Sequence, residues 1–290
     1  MDAMQFEPMS VSRILDRTFA LYRRNFLRFI TVVAVIQVPL ALISLIWLSM
    51  LMQGMPDRSA AQVGAARYQA PETTLLAMMG GSYVILLLTS VVGNALCQGA
   101  LARSVSEAYL GNEVTVGQTF RSVLPRLLTL IGASILVGLV VGLGFMLLVV
   151  PGVIFALWFF MTTPSIVVEN LGATAGMSRS KALAAGNLGK VFAVGALVLL
   201  ISFAVTMPLS WVATMVSTLF FGGNTTLMMF LSQSAKLIGG VLAAPIGAAA
   251  AILLYYDLRI RKEGFDLQML AQSMASNQGQ SGDFRLPQNA

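Results

Sequence analysis

The chain has 290 residues, of which 57% are hydrophobic and 10% are charged. Soluble domains carry about 25% charged residues, so this composition excludes a water-soluble surface and indicates an integral membrane protein. In a soluble domain the net charge of +6 would suggest nucleic-acid binding. Here the basic residues flank apolar runs, so we expect no nucleic-acid partner.

Six apolar runs are candidates for membrane-spanning helices, which need about 20 residues each to cross a bilayer. They cover residues 29–52, 75–102, 127–150, 153–168, 191–221 and 227–256. Pro151 and Gly152 separate the third run from the fourth, and this pair predicts the turn of a tight antiparallel hairpin. The sequence therefore predicts an all-α integral membrane bundle of about six transmembrane helices, arranged as three helical hairpins.

The basic residues divide unequally between the two sides of six alternating spans. One side holds Arg58, Arg67 and Lys236. The other side holds Arg13, Arg17, Arg23, Arg24, Arg28, Arg103, Arg121, Arg126, Arg179, Lys181, Lys190, Arg259, Arg261 and Lys262. Positively charged loops stay in the cytoplasm, so we expect both termini there. The first run is too long for the apolar core of a signal peptide, and we expect it to act as an uncleaved signal-anchor.

Two segments that lead into spans match at a constant offset, which indicates an internal repeat. Arg17, Thr18, Leu21, Asn25 and Arg28 correspond to Arg179, Ser180, Leu183, Asn187 and Lys190. We expect each hairpin to begin with a short amphipathic helix at the cytoplasmic interface, where Arg and Lys reach lipid phosphates. The predicted N-caps are Ser12, Thr115 and Thr174. The matches are also compatible with the basic, amphipathic lead-ins that any six-span protein carries.

The predicted membrane domain covers residues 10–270. Residues 1–9 are expected to form an N-terminal cytoplasmic segment and residues 53–73 an outer loop. Residues 271–290 are polar and are expected to form a disordered cytoplasmic tail.

Small residues indicate where transmembrane helices pack closely. The sixth span carries a stripe at every fourth position, formed by Gly239, Ala243, Gly247 and Ala251. Gly138 and Gly142 predict a similar face on the third span. Four prolines are expected to kink their helices, either as tolerated bends or as hinges of a transporter: Pro39, Pro164, Pro208 and Pro245.

The sequence contains few residues that could carry out a chemical reaction. No ionisable residue lies in the middle third of any predicted span, so a proton relay or ion path has no carrier. The chain has no histidine, and its single cysteine, Cys97, lies in an apolar run. We therefore expect no catalytic residue, metal site or cofactor, and no enzymatic activity. Asn94 and Gln98, one turn apart, are the most polar intramembrane pair and either join helices by hydrogen bonds or bind a ligand.

The most distinctive polar stretch, YYDLRIRKEGFDLQ, follows the sixth span. It contains two i,i+4 ion pairs, Asp257 with Arg261 and Arg259 with Glu263, and it is either an interfacial helix end or a docking surface. Glu169, which ends the fourth span, is placed to pair with a basic neighbour such as Arg179. Candidate contacts with anionic headgroups or a partner are Arg17, Arg28, Arg121, Glu169, Arg179, Lys190, Asp257, Arg259 and Arg261.

Three motifs in order resemble a known family: ILDRTFALYRRNF, then PGVIFALWFFMTTPSIVVEN with MSRSKALAAGNLGKVF, then YYDLRIRKEGFDL. Over residues 10–270 the chain resembles the glycerophosphoryl diester phosphodiesterase membrane-domain family and related bacterial membrane proteins. In the fused enzymes of that family, the chemistry resides in a separate soluble barrel with catalytic histidines. This chain has neither that domain nor a histidine, so the resemblance implies a bacterial inner-membrane module without phosphodiesterase activity.

Two functional hypotheses follow. The first is a non-catalytic inner-membrane module that scaffolds or assists envelope or lipid-related processes, with a membrane-protein partner or a second copy of itself. The alternative is a transporter or lipid-handling protein with an uncharged intramembrane cavity and basic residues that contact headgroups.

Overall fold

The computed structural model describes residues 9–54, 72–113, 115–222 and 225–263. Within these ranges the regular structure is helical throughout, so the predicted all-α membrane bundle is confirmed. The predicted outer loop and C-terminal tail lie almost wholly outside the described residues. The helices are α1 (Val11–Arg24), α2 (Phe26–Gly54), α3 (Glu72–Tyr109), α4 (Val116–Val123), α5 (Leu127–Leu147), α6 (Val149–Phe159), α7 (Thr162–Glu169), α8 (Ala173–Ala184), α9 (Leu188–Phe220) and α10 (Thr225–Glu263).

Five segments among the described residues are long and apolar enough to cross a membrane. They are Phe26–Trp47, Val116–Leu147, Val149–Glu169, Leu188–Phe220 and Leu227–Glu263. The remaining predicted span falls within α3, which is 38 residues long. The three most extensive helix contacts join α2 to α3, α5 to α6 and α9 to α10. The bundle is therefore built from three helical hairpins, as the sequence predicts.

A short helix precedes each hairpin, and its first residues are set by local capping. Thr115 caps α4 in a reciprocal capping box with Gln118, as predicted. The other two predicted caps are wrong. Ser10, not Ser12, caps α1 by accepting a hydrogen bond from the Arg13 N–H at 3.3 Å. Gly172 occupies the N-cap position of α8, which places Thr174 inside the first turn.

The helix α1 lies lengthwise along α10. Its buried side is formed by Ile14 and Thr18, both 0% exposed. The Tyr22 hydroxyl donates to the Leu242 carbonyl at 3.1 Å, fifteen residues before Asp257 on α10, whereas Met9 at the other end of α1 contacts Asp257 itself. The lead-in helix is thus part of the packed bundle along most of its length.

The turn of the middle hairpin lies at Leu148, whose extended backbone separates α5 from α6. The prediction of a turn at Pro151 and Gly152 is wrong by three residues. Pro151 instead occupies the first turn of α6, where its missing N–H has no intrahelical partner to lose. Gly144 and Gly152 allow the two helices to meet, because a Cβ on Gly144 would lie 2.9 Å from the Gly152 Cα.

The fourth predicted span is two helices, α6 and α7, with a break at Phe160 and Met161. The Ser180 hydroxyl of α8 bridges the break: it donates to the Trp158 carbonyl at 2.7 Å and accepts from the Met161 N–H at 3.1 Å. A side chain inserted into the helical ladder is a known cause of such a break. Pro164, predicted to kink a helix, lies in the first turn of α7.

The small-residue stripe of the sixth span packs as predicted. A Cβ on Gly239 would lie 2.9 Å from the Thr206 side chain of α9, and one on Gly247 would lie 3.4 Å from Val198. The similar face predicted at Gly138 and Gly142 is not packed, because a Cβ at either position meets nothing within 4 Å among the described residues. Helices α2, α9 and α10 continue through their prolines.

Candidate functional site

The last turns of α10 lie at the centre of one end of the bundle. We call this the charged end and define it as the described residues among 9–28, 103–126, 166–190 and 255–263. Tyr255, Tyr256 and Asp257 are at most 2% exposed there, because α1, α3, α7, α8 and α9 pack around α10. A carboxylate buried this deeply needs charged partners and hydrogen bonds to offset its lost hydration.

Arg179 joins α7, α8 and α10 through two carboxylates. Its Nε donates to Glu169 Oε1 at 2.8 Å and to Oε2 at 2.9 Å, and its Nη2 donates to Glu263 Oε2 at 2.8 Å. The Tyr255 hydroxyl donates to Glu169 Oε1 at 2.5 Å, and Arg259 Nε donates to Glu263 Oε2 at 3.2 Å. We call these five residues the Arg179 network. Two arginines and two glutamates make it electrically neutral.

The electrostatics of Arg179 agree with this geometry. Its hydrogen bond with Glu263 raises the pKa of the guanidinium well above its ordinary value, and contacts with Glu169 add to the effect against an opposing contribution from burial. Arg179 is therefore held as a permanent cation between two acids. The predicted pair of Glu169 with Arg179 is confirmed, as is the i,i+4 pair of Arg259 with Glu263.

A second network fixes the N-terminal end of α1 to α10. The Met9 N–H donates to Asp257 Oδ1 at 2.6 Å, and the Met9 carbonyl accepts from Lys190 Nζ at 2.5 Å and from Arg261 Nη2 at 3.0 Å. Lys190 and Arg261 also pair with Asp257 Oδ2, which confirms the predicted Asp257–Arg261 pair. We call Met9, Lys190, Asp257 and Arg261 the Met9 clamp. It places both ends of the described chain at the same end of the bundle.

Further polar contacts surround these two networks. The hydroxyls of Ser106 and Tyr256 share a hydrogen bond of 2.7 Å, which ties the end of α3 to α10. Lys262 Nζ donates to the carbonyls of Ala182 and Ala185, both at 2.6 Å, and so occupies acceptors that the C-terminus of α8 leaves free. The charged end is consequently cross-linked between all three hairpins.

The structure brings together most of the candidate contact residues. Glu169, Arg179 and Arg259 meet in the Arg179 network, and Lys190, Asp257 and Arg261 meet in the Met9 clamp. Arg17 lies beside the clamp, with Nη1 3.4 Å from the Met9 sulfur. Two candidates, Arg28 and Arg121, lie outside both networks, and Arg121 is exposed. Contact of any of these residues with headgroups or a partner stays a prediction.

A cavity of about 710 Å³ lies between α2, α3 and α10, within the membrane-spanning helices. Its volume falls in the range of about 300–1,000 Å³ that is usual for small-molecule sites. Seven of its thirteen lining residues are polar: Gln37, Ser44, Thr89, Ser90, Asn94, Gln233 and Lys236. The other six are apolar or glycine. No acidic or aromatic side chain is among the described residues that line it.

The predicted intramembrane pair of Asn94 and Gln98 is divided between two cavities. Asn94 lines the cavity of about 710 Å³, whereas Gln98 lines a smaller one of about 270 Å³ with Phe160, Pro164 and Gly247. Both cavities border α3 and α10, but residues 233–237 of α10 line the larger one and residues 247–251 line the smaller one. Within the described part of the chain, no group of three or more His, Cys, Asp or Glu side chains is placed to hold a metal ion.

Comparison with known proteins gives one informative match. The chain is 33% identical over 135 residues to a UPF0259 membrane protein of Sodalis glossinidius (strain morsitans). This chain is a bacterial multi-pass membrane protein. The match covers 46% of this chain and 52% of the relative, so the chain spans about half the length of the curated protein it matches. No family model and no solved structure matches the chain, and the resemblance to the glycerophosphoryl diester phosphodiesterase membrane-domain family gains no support.

Sequence reasoning missed several residues of this multi-pass protein that complete the site. The backbone of Met9 gave no signal, because any residue supplies the same N–H and carbonyl. Tyr255 and Tyr256 precede Asp257 directly, and two adjacent tyrosines beside a predicted ion-pair stretch are a signal of hydrogen bonding to it. The alternative hypothesis expected an uncharged intramembrane cavity, and the observed cavity differs because Lys236 is among its lining residues. Most of the lining residues were missed because they come from three helices far apart in the chain.

Proposed function

We propose that this protein binds membrane lipid in the cavity between α2, α3 and α10, and so acts as a lipid-handling protein. The observation that carries the proposal is an open groove of about 710 Å³ between membrane-spanning helices, whose mixed lining includes seven polar side chains. The Ser44 and Ser90 hydroxyls donate to backbone carbonyls of their own helices. The amides of Asn94 and Gln233 and the ammonium of Lys236 are therefore the groups that a ligand with polar groups of its own would meet. The remaining apolar lining suits a hydrocarbon portion of the same ligand.

The rest of the molecule supports a binding role over a catalytic one. The carboxylates of Glu169, Asp257 and Glu263 at the charged end are held in ion pairs within the chain, and these pairs stabilise the helices that form the cavity. In the proposed orientation, in a bacterial inner membrane, the charged end faces the cytoplasm and the cavity opens away from it.

Filling the cavity tests the proposal. Ala41 lines the cavity, whereas Val35 on the same helix is 52% exposed on the outer surface. Ala41→Trp should abolish the lipid that remains bound after extraction in mild detergent, measured by native mass spectrometry, and Val35→Trp should retain it. Equal retention by both variants would overturn the proposal. A photo-crosslinking residue at position 41 gives a second readout that does not depend on the folding of the tryptophan variant, and absence of a lipid adduct there would also count against it.

A second candidate function is a non-catalytic scaffold that associates with a membrane-protein partner or with itself. It is favoured by the outer side of α5, where a Cβ at Gly138 or Gly142 would meet nothing within 4 Å. Such a smooth face suits close contact with a second transmembrane helix. Affinity purification should then recover a partner or a homo-oligomer. The amount of lipid retained in the experiment above should not depend on this association. Recovery of a monomer alone would remove this candidate.

A further inference from the structure

The lipid cavity contains a cation whose chemistry specifies the ligand. We propose that Lys236 binds the anionic phosphate of a phospholipid headgroup in this cavity, and that the site selects anionic over zwitterionic lipids. The inference rests on the proposed lipid-binding function and adds the chemical class of the ligand.

The position of Lys236 separates it from the charged end. It lies twenty-one residues before Asp257 on α10, which corresponds to about 30 Å of helix. Gln233, Lys236 and Leu237 all line the cavity and follow the i, i+3, i+4 spacing of one helix face. Lys236 therefore belongs to the cavity wall and has no structural role in the networks around Asp257.

The pairing of cations sets Lys236 apart from those networks. Ion pairs within the chain engage Arg103, Arg179, Lys190, Arg259 and Arg261. For Lys236, no carboxylate lies within ion-pair distance among the described side chains. A lysine that lines a cavity without an acid beside it leaves its positive charge available to a ligand.

The composition of the lining decides which headgroup fits. The ammonium of Lys236 offers three hydrogen-bond donors, and the amides of Gln233 and Asn94 add further donors of the kind that bind phosphate oxygens. A choline or ethanolamine headgroup carries a cation as well, and its recognition needs a carboxylate or an aromatic cage. Among the described residues the lining has neither. It can therefore compensate a net negative headgroup, whereas the cation of a zwitterionic lipid would find no matching group there.

The competing explanation is that Lys236 extends its ammonium to the bilayer surface and contacts no ligand. Headgroup selectivity distinguishes the two explanations. The protein is reconstituted in nanodiscs with equal amounts of phosphatidylglycerol and phosphatidylcholine and is then extracted in mild detergent. We expect the retained lipid to be enriched roughly tenfold in phosphatidylglycerol, the scale of a charge-assisted hydrogen bond.

Two variants test the assignment. Lys236→Met should abolish the enrichment while lipid is still retained, and Lys236→Arg should preserve it. Lys181→Met, which removes an exposed lysine at the charged end, should leave the enrichment unchanged. Unchanged enrichment in Lys236→Met with lipid retained would overturn the headgroup assignment alone, whereas absence of retained lipid from the wild type would overturn the proposed function. Displacement of phosphatidylglycerol by millimolar inorganic phosphate would overturn the lipid assignment, because the site would then take a soluble anion.

Discussion

Removal of the Asp257 carboxylate should destabilise the bundle more than any exposed substitution at the charged end. Asp257 is 0% exposed and accepts hydrogen bonds from the Met9 N–H, Lys190 and Arg261. In Asp257→Ala, Lys190 keeps a cation whose side chain is only 14% exposed, and the Met9 N–H loses its acceptor. Breaking a buried pair by removing one partner costs about 3–5 kcal/mol. Arg261 is 38% exposed, so solvent screens its interaction with Asp257. We therefore expect Asp257→Ala to lower the free energy of unfolding by about 3 kcal/mol.

The free energy of unfolding can be measured by titration with sodium dodecyl sulfate in mixed micelles, with tryptophan fluorescence as the signal. Asp257→Asn keeps an acceptor for the Met9 N–H and loses only the charge, so we expect a smaller loss of about 1–2 kcal/mol. Asp16→Asn is the matched control, because Asp16 is exposed on α1 and should change stability by less than about 0.5 kcal/mol.

A double-mutant cycle then tests whether Lys190 is the partner responsible. If the two charges stabilise each other, the combined loss in Asp257→Asn with Lys190→Met should be smaller than the sum of the single losses by about 1 kcal/mol or more. Additive losses would refute the pairing. A cost for Asp257→Ala no larger than that of the Asp16 control would refute the reasoning as a whole, since it would mean that the Met9 clamp contributes nothing to stability.

Three further predictions address the hairpins and the orientation of the chain. Gly144→Val should destabilise the bundle by about 1–3 kcal/mol or more, because its side chain would meet the backbone of the facing helix, whereas Gly142→Val should be nearly neutral in the same titration. Ser180→Ala should cost about 1–3 kcal/mol because the break between α6 and α7 loses its bridging hydroxyl, whereas the exposed Ser178→Ala should change little. A reporter fused after Ala290 should be cytoplasmic, and periplasmic activity would contradict the predicted orientation.

The features that sequence predicts well here are those set by short-range spacing or by solvent. Long uncharged runs need hydrocarbon around them, and all but the fourth, which is divided between α6 and α7, correspond to long helices of the bundle. The i,i+4 pair of Arg259 with Glu263 follows from helix geometry alone. The contact between Glu169 and Arg179 was also predictable, because only ten residues and one reversal of the chain separate them.

The features that sequence missed depend on long-range packing or on competing local choices. Ser10 and Ser12 are both good N-caps, and the choice between them follows from how Met9 is fixed to α10. Pro151 and Gly152 are turn residues by type, yet proline is equally suited to the first turn of a helix, which moves the turn to Leu148. The glycines of α5 are a further example. Gly138 and Gly142 indicate a surface for close helix packing, but their spacing does not determine which helix packs there.

The charged end and the cavity differ in whether their cations already form ion pairs within the chain. At the charged end, a headgroup or partner that bound Arg179 or Lys190 would have to replace an ion pair with a half-buried or buried carboxylate, and the carboxylate left behind would be uncompensated. That exchange is unfavourable unless the incoming anion recovers the loss. Lys236 presents no such competitor among the described side chains, so a ligand anion there gains the interaction without breaking one. Ligand chemistry is therefore expected at the cavity, and the charged end is expected to hold the helices that form it.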